Sequence, residues 1–212
     1  MMRILSLYGK TIRTAIVTHF GYVVISVSIA FVIAFILGIL LSRTRKMANV
    51  ILTAISIFQM IPGIVFIGVL FLYNGMVPST IIIALSIYAI FPILKNTYVG
   101  IIGVPDEYKE AAKGCGMSGY QILTKIEIPM ALPVIINGLR ISIVYTVSWA
   151  VLAAMIGLGG LGQLIYTGVA SNNSALILAG AIPSAIMALL FSLAIDLLRK
   201  ALIPKQLRRD VK

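Results

Sequence analysis

The chain has 212 residues, of which 60% are hydrophobic and only 11% charged, and its mean hydropathy of +1.09 lies far above that of soluble domains, which are about half apolar. A water-soluble globular domain is excluded, and the chain reads as a membrane protein. Seventeen Lys and Arg against six Asp and Glu give a formal charge of +11. The cations lie between apolar segments, so topology explains them better than nucleic acid does.

A hydrocarbon core about 30 Å thick needs about 20 apolar residues per helical crossing. Five stretches qualify: Phe20 to Leu41, Val50 to Tyr73, Thr80 to Tyr98, Val134 to Ile156 and Leu176 to Leu198. The expected fold class is therefore all-α, a polytopic membrane protein with five transmembrane helices. Residues 1–18 carry Ile4, Leu5, Tyr8, Ile12, Ala15 and Ile16 at helical spacing, with Arg3, Lys10 and Arg13 on another face, which predicts an interfacial amphipathic segment. The first long run comes too late to be a removable signal and ends in Ser42-Arg43-Thr44-Arg45-Lys46, a cytoplasmic stop. His19, at its outer end, is expected to be interfacial. Gln59, Pro62 and Gly63 interrupt the second span near its middle, marking either a simple kink or a broken helix that exposes backbone carbonyls to a water-filled cavity.

Lys and Arg follow spans one, three and five, whereas the loops Asn74 to Ser79 and Gly157 to Ala175 contain none. The positive-inside rule then places the C-terminus, with its basic tail over 201–212, in the cytoplasm and the N-terminus outside the cell membrane. Arg3, Lys10 and Arg13 are discordant with that orientation, and a sixth, badly formed N-terminal span is the rival. Cys115 is the only cysteine, so no internal disulfide or zinc framework exists and a small packing residue is expected.

No Asp or Glu occurs in spans one to four, and Asp196, Lys95 and Arg140 lie near cytoplasmic ends, where the cations can snorkel. A coupling ion or proton relay would need ionisable groups near the midplane. A transport function therefore draws its energy from another subunit. No nucleophile, base and orienter set is present, so the chain is not read as an enzyme.

The one long charged connection, residues 101–129, is specific. Val104-Pro105-Asp106-Glu107 opens a helix, with proline suited to the first turn and acids to the positive end of the dipole. Gly114 and Gly116 end it, and Ser118-Gly119-Tyr120-Gln121 forms a capping box for a second helix, with Met117 and Ile122 as its hydrophobic staple. Pro129 and Pro133 mark the return to the bilayer. The product is a cytoplasmic helix-turn-helix shaped for a partner to grip.

Glu110-Ala111-Ala112, three residues, Gly116, nine residues, Ile126, one residue and Ile128-Pro129 resemble the EAA loop of binding-protein-dependent ABC importer permeases, with Ile128 where Leu is usual. The resemblance implies that Glu110, Ala111, Ala112 and Gly116 contact an ATPase subunit. Two alanines would permit close helix approach, Gly116 the turn, and Glu110 would supply a charge. Tyr88 to Tyr98, Leu132-Pro133-Val134-Ile135 with Gly138-Leu139-Arg140, Ser148-Trp149-Ala150, Gly159-Gly160-Leu161-Gly162 and Ile177 to Pro183 are similar to the permeases of glycine betaine, carnitine and choline importers, with Lys95 in place of the usual Arg. This resemblance covers most of 19–200 and implies a type I ABC importer transmembrane domain. It further implies a quaternary-amine cargo, Mg-ATP hydrolysed on separate ABC ATPase subunits, a second permease copy or sister permease, and a separate extracellular or periplasmic substrate-binding protein. A methionine-type or phosphonate-type permease is the nearer alternative, and a stand-alone osmotically gated channel or a membrane scaffold the more distant ones.

Gly157-Leu158-Gly159-Gly160-Leu161-Gly162 satisfies G-x-G-x-x-G, but no strand precedes it and no acidic ribose ligand follows, so it is read as an external turn rather than a nucleotide site. Because ring faces attract quaternary ammonium, Tyr145 and Trp149, four apart on span four, are the expected liners of a translocation path, together with Gln59. Lipid contact or packing is the alternative for each ring. Pro62, Gly63, Pro92 and Pro183 are the expected hinges.

Overall fold

No proline precedes Pro62, and the first helix runs unbroken as α1 (Met2–Ser42) for 41 residues. At 1.5 Å per residue that is roughly 60 Å, about twice the hydrocarbon core. The computed structural model describes residues 2–154 and 157–203, with side chains from Tyr8 onward. Arg3, Ile4 and Leu5 as side chains, Ile156 at the expected end of span four, and Lys205, Arg208, Arg209 and Lys212 of the basic tail lie outside the described residues.

The interfacial segment expected over 1–18 is not separate from span one. Ala15 is buried with Leu161, Leu164, Leu176 and Met187, and Tyr8, Ile12 and Ile16 lie against that cluster. The amphipathic stripe thus finds protein rather than a membrane surface. His19 is likewise fully buried, with Nε2 3.2 Å from the Val147 carbonyl, and is not interfacial.

The second apolar stretch forms two helices, α2 (Arg45–Phe58) and α3 (Gly63–Asn74), bent by 89° at the break. A simple kink is therefore too weak a description. Then come α4 (Pro78–Ile102), α5 (Asp106–Gly114), α6 (Gly119–Ile122), a π-helical turn over Leu123–Glu127, α7 (Ile128–Ala154), α8 (Leu161–Ala170) and α9 (Ser174–Leu202). The connection expected as a plain external loop, Gly157 to Ala175, contains α8. Its buried Gly162, Leu164 and Gly168 show why these residues are apolar.

Cross-contacts fix the helix directions. Ser26 Oγ donates to the Ile82 carbonyl at 3.2 Å, and Gly38 abuts Thr97, so α1 and α4 run parallel. Ser142 Oγ donates to the Ala89 carbonyl at 2.8 Å, and Gly138 abuts Pro92 and Asn96, so α7 runs antiparallel to α4. Between the end of α1 and the start of the parallel α4 the chain must return across the membrane, which makes the bent α2–α3 pair a broken span rather than a hairpin returning to its own side. The five crossings of the sequence reading thus become α1, α2–α3, α4, α7 and α9. Lipid gives apolar helices little reason to associate, so close approach of small residues holds them. Ala30, Ala34 and Ala84 are fully buried where α1 meets α4. Arg140, near the end of the bundle expected to be cytoplasmic, also ties α7 to α9: its Nε donates to Ser192 Oγ at 2.9 Å and its Nη2 lies 3.3 Å from Asp196.

The Arg43 guanidinium forks onto the Glu127 carboxylate, with Nη1 donating to Oε1 at 3.0 Å and Nη2 to Oε2, and ties the end of α1 to the root of α7. The Glu127 side chain is only 3% exposed, the Arg43 side chain 48%. Arg43→Ala strands a buried carboxylate, whereas Glu127→Ala leaves an arginine that reaches water. Arg43→Ala should therefore cost more, about 1–3 kcal/mol, a ranking that thermal unfolding of the detergent-solubilised variants checks.

Candidate functional site

The cytoplasmic protrusion is built by local chemistry. Pro105 caps α5, and Asp106 and Glu107 occupy its first turn. Lys109 Nζ, 2.8 Å from Asp106, holds that exposed carboxyl below the usual range, first through the hydrogen bond and then through its charge. At the other end Gly116 takes a φ of +78°, Gly116 N–H donates to the Lys113 carbonyl at 2.9 Å, and Met117 N–H donates to the Ala112 carbonyl at 3.1 Å. This is a Schellman turn. The second helix starts in a complete capping box, Gln121 N–H to Ser118 Oγ at 3.3 Å and Ser118 N–H to Gln121 Oε1 at 2.8 Å. It runs on through Pro129 and Pro133 into the bilayer: residues Gly119–Ala154 form one continuous 36-residue helical path. Ile128 N–H reaches back to the Leu123 carbonyl, a widened turn immediately before Pro129.

Glu110 and Ala111 are exposed while Ala112 is buried. The two alanines therefore serve different surfaces: Ala112 holds α5 against the protrusion, and Ala111 with Glu110 faces outward. Cys115, expected as a packing residue, is exposed at the end of α5. Tyr120, 75% exposed, adds an aromatic ring to the same protrusion that the sequence reading did not single out.

Within the bundle, Pro92 interrupts α4 and cannot donate to the carbonyl four residues back. That carbonyl, of Tyr88, accepts from Gln59 Nε2 at 2.9 Å. Tyr88 OH donates in return to the Ile61 carbonyl at 2.7 Å, so the break between α2 and α3 is clasped to α4 from both sides. The Tyr88 ring stacks on Trp149, with centroids 5.0 Å apart and planes at 28°, and Phe66 meets Tyr88 edge-on at 5.6 Å. The Trp149 ring lies directly over Gly63, where only hydrogen fits. Gly63 is thus a seat for an aromatic ring as well as part of the break.

These groups surround a cavity of about 460 Å³ lined by Gln59, Tyr88, Pro92, Ser142, Tyr145, Thr146, Ser148, Trp149 and Leu152, within the ~300–1,000 Å³ of small-molecule sites. The structure brings Gln59, Tyr145 and Trp149 to one cavity, with Pro92 in its wall and Gly63 beneath Trp149. Pro62 caps α3 at the break. Pro183 stands apart, lining an apolar groove between α1 and α9 with Ile12, Ile16 and Leu178. Among the described residues, the cavity wall carries no Lys, Arg, Asp or Glu. Ser142 Oγ is engaged with the Ala89 carbonyl at 2.8 Å and Thr146 Oγ1 with the Ser142 carbonyl at 2.7 Å. Tyr145 is 59% exposed, so its ring is available. Tyr88 was missed as a site residue, although Pro92 four positions on signals its orphaned carbonyl.

The glycine-rich segment forms a turn, as expected, with Gly157, Gly159 and Gly160 at φ of +94°, +82° and +87°. At the protrusion, by contrast, a Cβ on Gly116 would meet no atom within 4 Å, so conformation alone restricts that position. Gly116→Asn should keep the turn, because Asn tolerates left-handed backbone, whereas Gly116→Val should open it at a cost of about 1–2 kcal/mol. Amide exchange over 112–121 in the two variants reads the difference.

Residues 30–208 match the family model described as binding-protein-dependent transport system inner membrane component. The carnitine transport permease protein OpuCB of Listeria monocytogenes is 41% identical over 171 residues, 81% of this chain and 78% of that protein. The glycine betaine/carnitine/choline transport system permease protein OpuCD of Bacillus subtilis (strain 168) is 38% identical over 187 residues, 88% and 82% of the two chains. Among solved structures, an inward-facing conformation of the MetNI methionine ABC transporter superposes with a TM-score of 0.83 at 22% identity, covering 92% of this chain and 97% of that one, which establishes the shared fold. This chain belongs to the family of inner-membrane components of binding-protein-dependent transport systems, the multi-pass permease subunits of ABC importers.

Proposed function

We propose that this permease forms the translocation path for a quaternary-amine osmolyte such as glycine betaine, carnitine or choline. The observation that carries the reading is the uncharged, aromatic-walled cavity. A quaternary ammonium forms no conventional hydrogen bonds and is attracted to ring faces, by ~0.5–1 kcal/mol at exposed sites and ~2 kcal/mol or more when desolvated. Tyr145 offers such a face beside Trp149. The primary ammonium of methionine would ask for an anionic or multiply accepting partner, and among the described residues this wall holds no Asp or Glu. The names of the relatives, which carry carnitine, choline and glycine betaine, support the same class.

In this reading Mg-ATP is hydrolysed on separate ATPase subunits, which grip the protrusion through the exposed Glu110, Ala111 and Gly116, while the buried Ala112 supports them from beneath. A second permease, identical or a sister chain, completes the path, and a separate binding protein delivers the cargo from outside. The N-terminus lies outside and the protrusion and C-terminus in the cytoplasm. ATP-dependent uptake of labelled betaine, carnitine and choline by vesicles of the complete complex, with and without this subunit, tests the proposal. Uptake should require the subunit. Failure with all three solutes in an assembled, ATP-hydrolysing complex would move the cargo to methionine or phosphonates. Glu110→Lys should abolish uptake while the protein stays in the membrane, and normal uptake by that variant would defeat the coupling assignment.

A further inference from the structure

The quaternary-amine reading places the cargo in the cavity, and a gate at that cavity rests on the same reading. In the structure the most electron-rich surface there, the Trp149 ring, is not open. Tyr88 stacks against it at 5.0 Å and Gly63 lies under part of its six-membered ring. Tyr88 in turn is pinned through its hydroxyl to the Ile61 carbonyl at 2.7 Å and through its carbonyl to Gln59 at 2.9 Å. One aromatic pair therefore joins three elements: the broken span at Gln59–Gly63, α4 at Tyr88 and α7 at Trp149. The exposed Tyr145 ring stands one helical turn before Trp149 on the same cavity wall.

We infer that the Tyr88–Trp149 stack is a closed gate whose opening ligand is the cargo's quaternary ammonium group, held by Tyr88, Trp149 and Tyr145 when the two rings part. The chemistry of the exchange is balanced: an offset ring pair is held by the same quadrupoles that attract a cation, so an onium group can take the place of one ring without leaving a bare apolar face. No ion pair has to be broken, because none lines the cavity among the described residues. The carboxylate or hydroxyl end of the cargo finds no cation there, and the gate reads only the trimethylammonium group that betaine, carnitine and choline share.

Trp149 is the only tryptophan of the chain, which provides a direct readout. Tetramethylammonium is titrated into the complete complex in nanodiscs without binding protein. The same titration of a Trp149→Phe complex is subtracted to isolate the Trp149 signal. The gate predicts a saturable change in Trp149 emission that potassium chloride does not produce. The uncharged choline isostere 3,3-dimethylbutanol should need about tenfold higher concentration or more. Tyr88→Phe should keep the response, Tyr88→Leu should weaken it about tenfold or more, and Gly63→Ala, which unseats the ring, should shift the ligand-free spectrum toward the liganded one. If Tyr88→Leu fails to assemble, Tyr145→Leu on the exposed ring should still weaken the response several-fold. An equal response to the neutral isostere, or no response to tetramethylammonium in a complex that imports choline, overturns the gate and leaves the importer reading standing. Failure of betaine, carnitine and choline uptake with methionine accepted overturns the quaternary-amine reading itself.

Discussion

The arrangement of the bundle interior depends on one hydrogen bond that α4 cannot make. Pro92 has no N–H, and an orphaned carbonyl in hydrocarbon costs several kcal/mol unless a neighbour supplies a donor. Gln59 supplies it for the Tyr88 carbonyl, and Ser142 donates to the adjacent Ala89 carbonyl. Those two donors come from the α2–α3 break and from α7. Satisfying that proline fixes the α2–α3 break against α4, and the separate Ser142 bond fixes α7 against the same turn of α4. The break in turn leaves Gly63 bare beneath Trp149.

The second constraint lies at the cytoplasmic end. A protrusion gripped by a partner moves cargo only if its displacement reaches the cavity. Here the second protrusion helix has no joint with span four: Gly119–Ala154 is one helical path that carries Tyr145 and Trp149. From Gly119 to Trp149 is about 45 Å at helical rise, spanned by one continuous helical path that includes the π-helical turn at Leu123–Glu127. The Arg43–Glu127 fork holds α1 to the root of that element, so α1 and α7 respond together. A lever with two packed arrangements at its far end is the physical form that coupling between distant sites takes.

The features legible in the sequence were those written in local chemistry. The capping box at Ser118 and Gln121, the Schellman glycine at Gly116 and the proline start of α5 depend on residues within five positions of one another. The apolar runs also marked where four of the helices lie. Long-range features were not legible in the same way. The stripe at Tyr8, Ile12 and Ile16 is the same pattern whether its partner is lipid or α8 and α9, and only tertiary packing decides. His19 looked interfacial because it sits at the edge of an apolar run, yet the carbonyl that receives it belongs to Val147, far along the chain. The Arg43–Glu127 pair joins residues that the sequence reading placed separately, one in a stop signal and one in a loop. Tyr88 was hidden because its role comes from Pro92 four residues on and Gln59 twenty-nine residues back.

An uncharged aromatic cavity also limits what this subunit can do alone. Three ring faces worth ~0.5–2 kcal/mol each give at most roughly 6 kcal/mol, short of the roughly 8 kcal/mol of a micromolar site. Conduction through a membrane requires binding strong enough to admit the solute and weak enough to release it. A salt bridge to the cargo's carboxylate would raise affinity and slow release, and the wall of Gln59, Ser148 and aromatic rings avoids that outcome. On the proposed function, capture at low external concentration comes from a binding protein, and direction from an ATPase acting on the protrusion. The neutrality of the cavity and the charge of the protrusion are two sides of one division of labour, in which the permease holds cargo loosely and its partners supply affinity and energy.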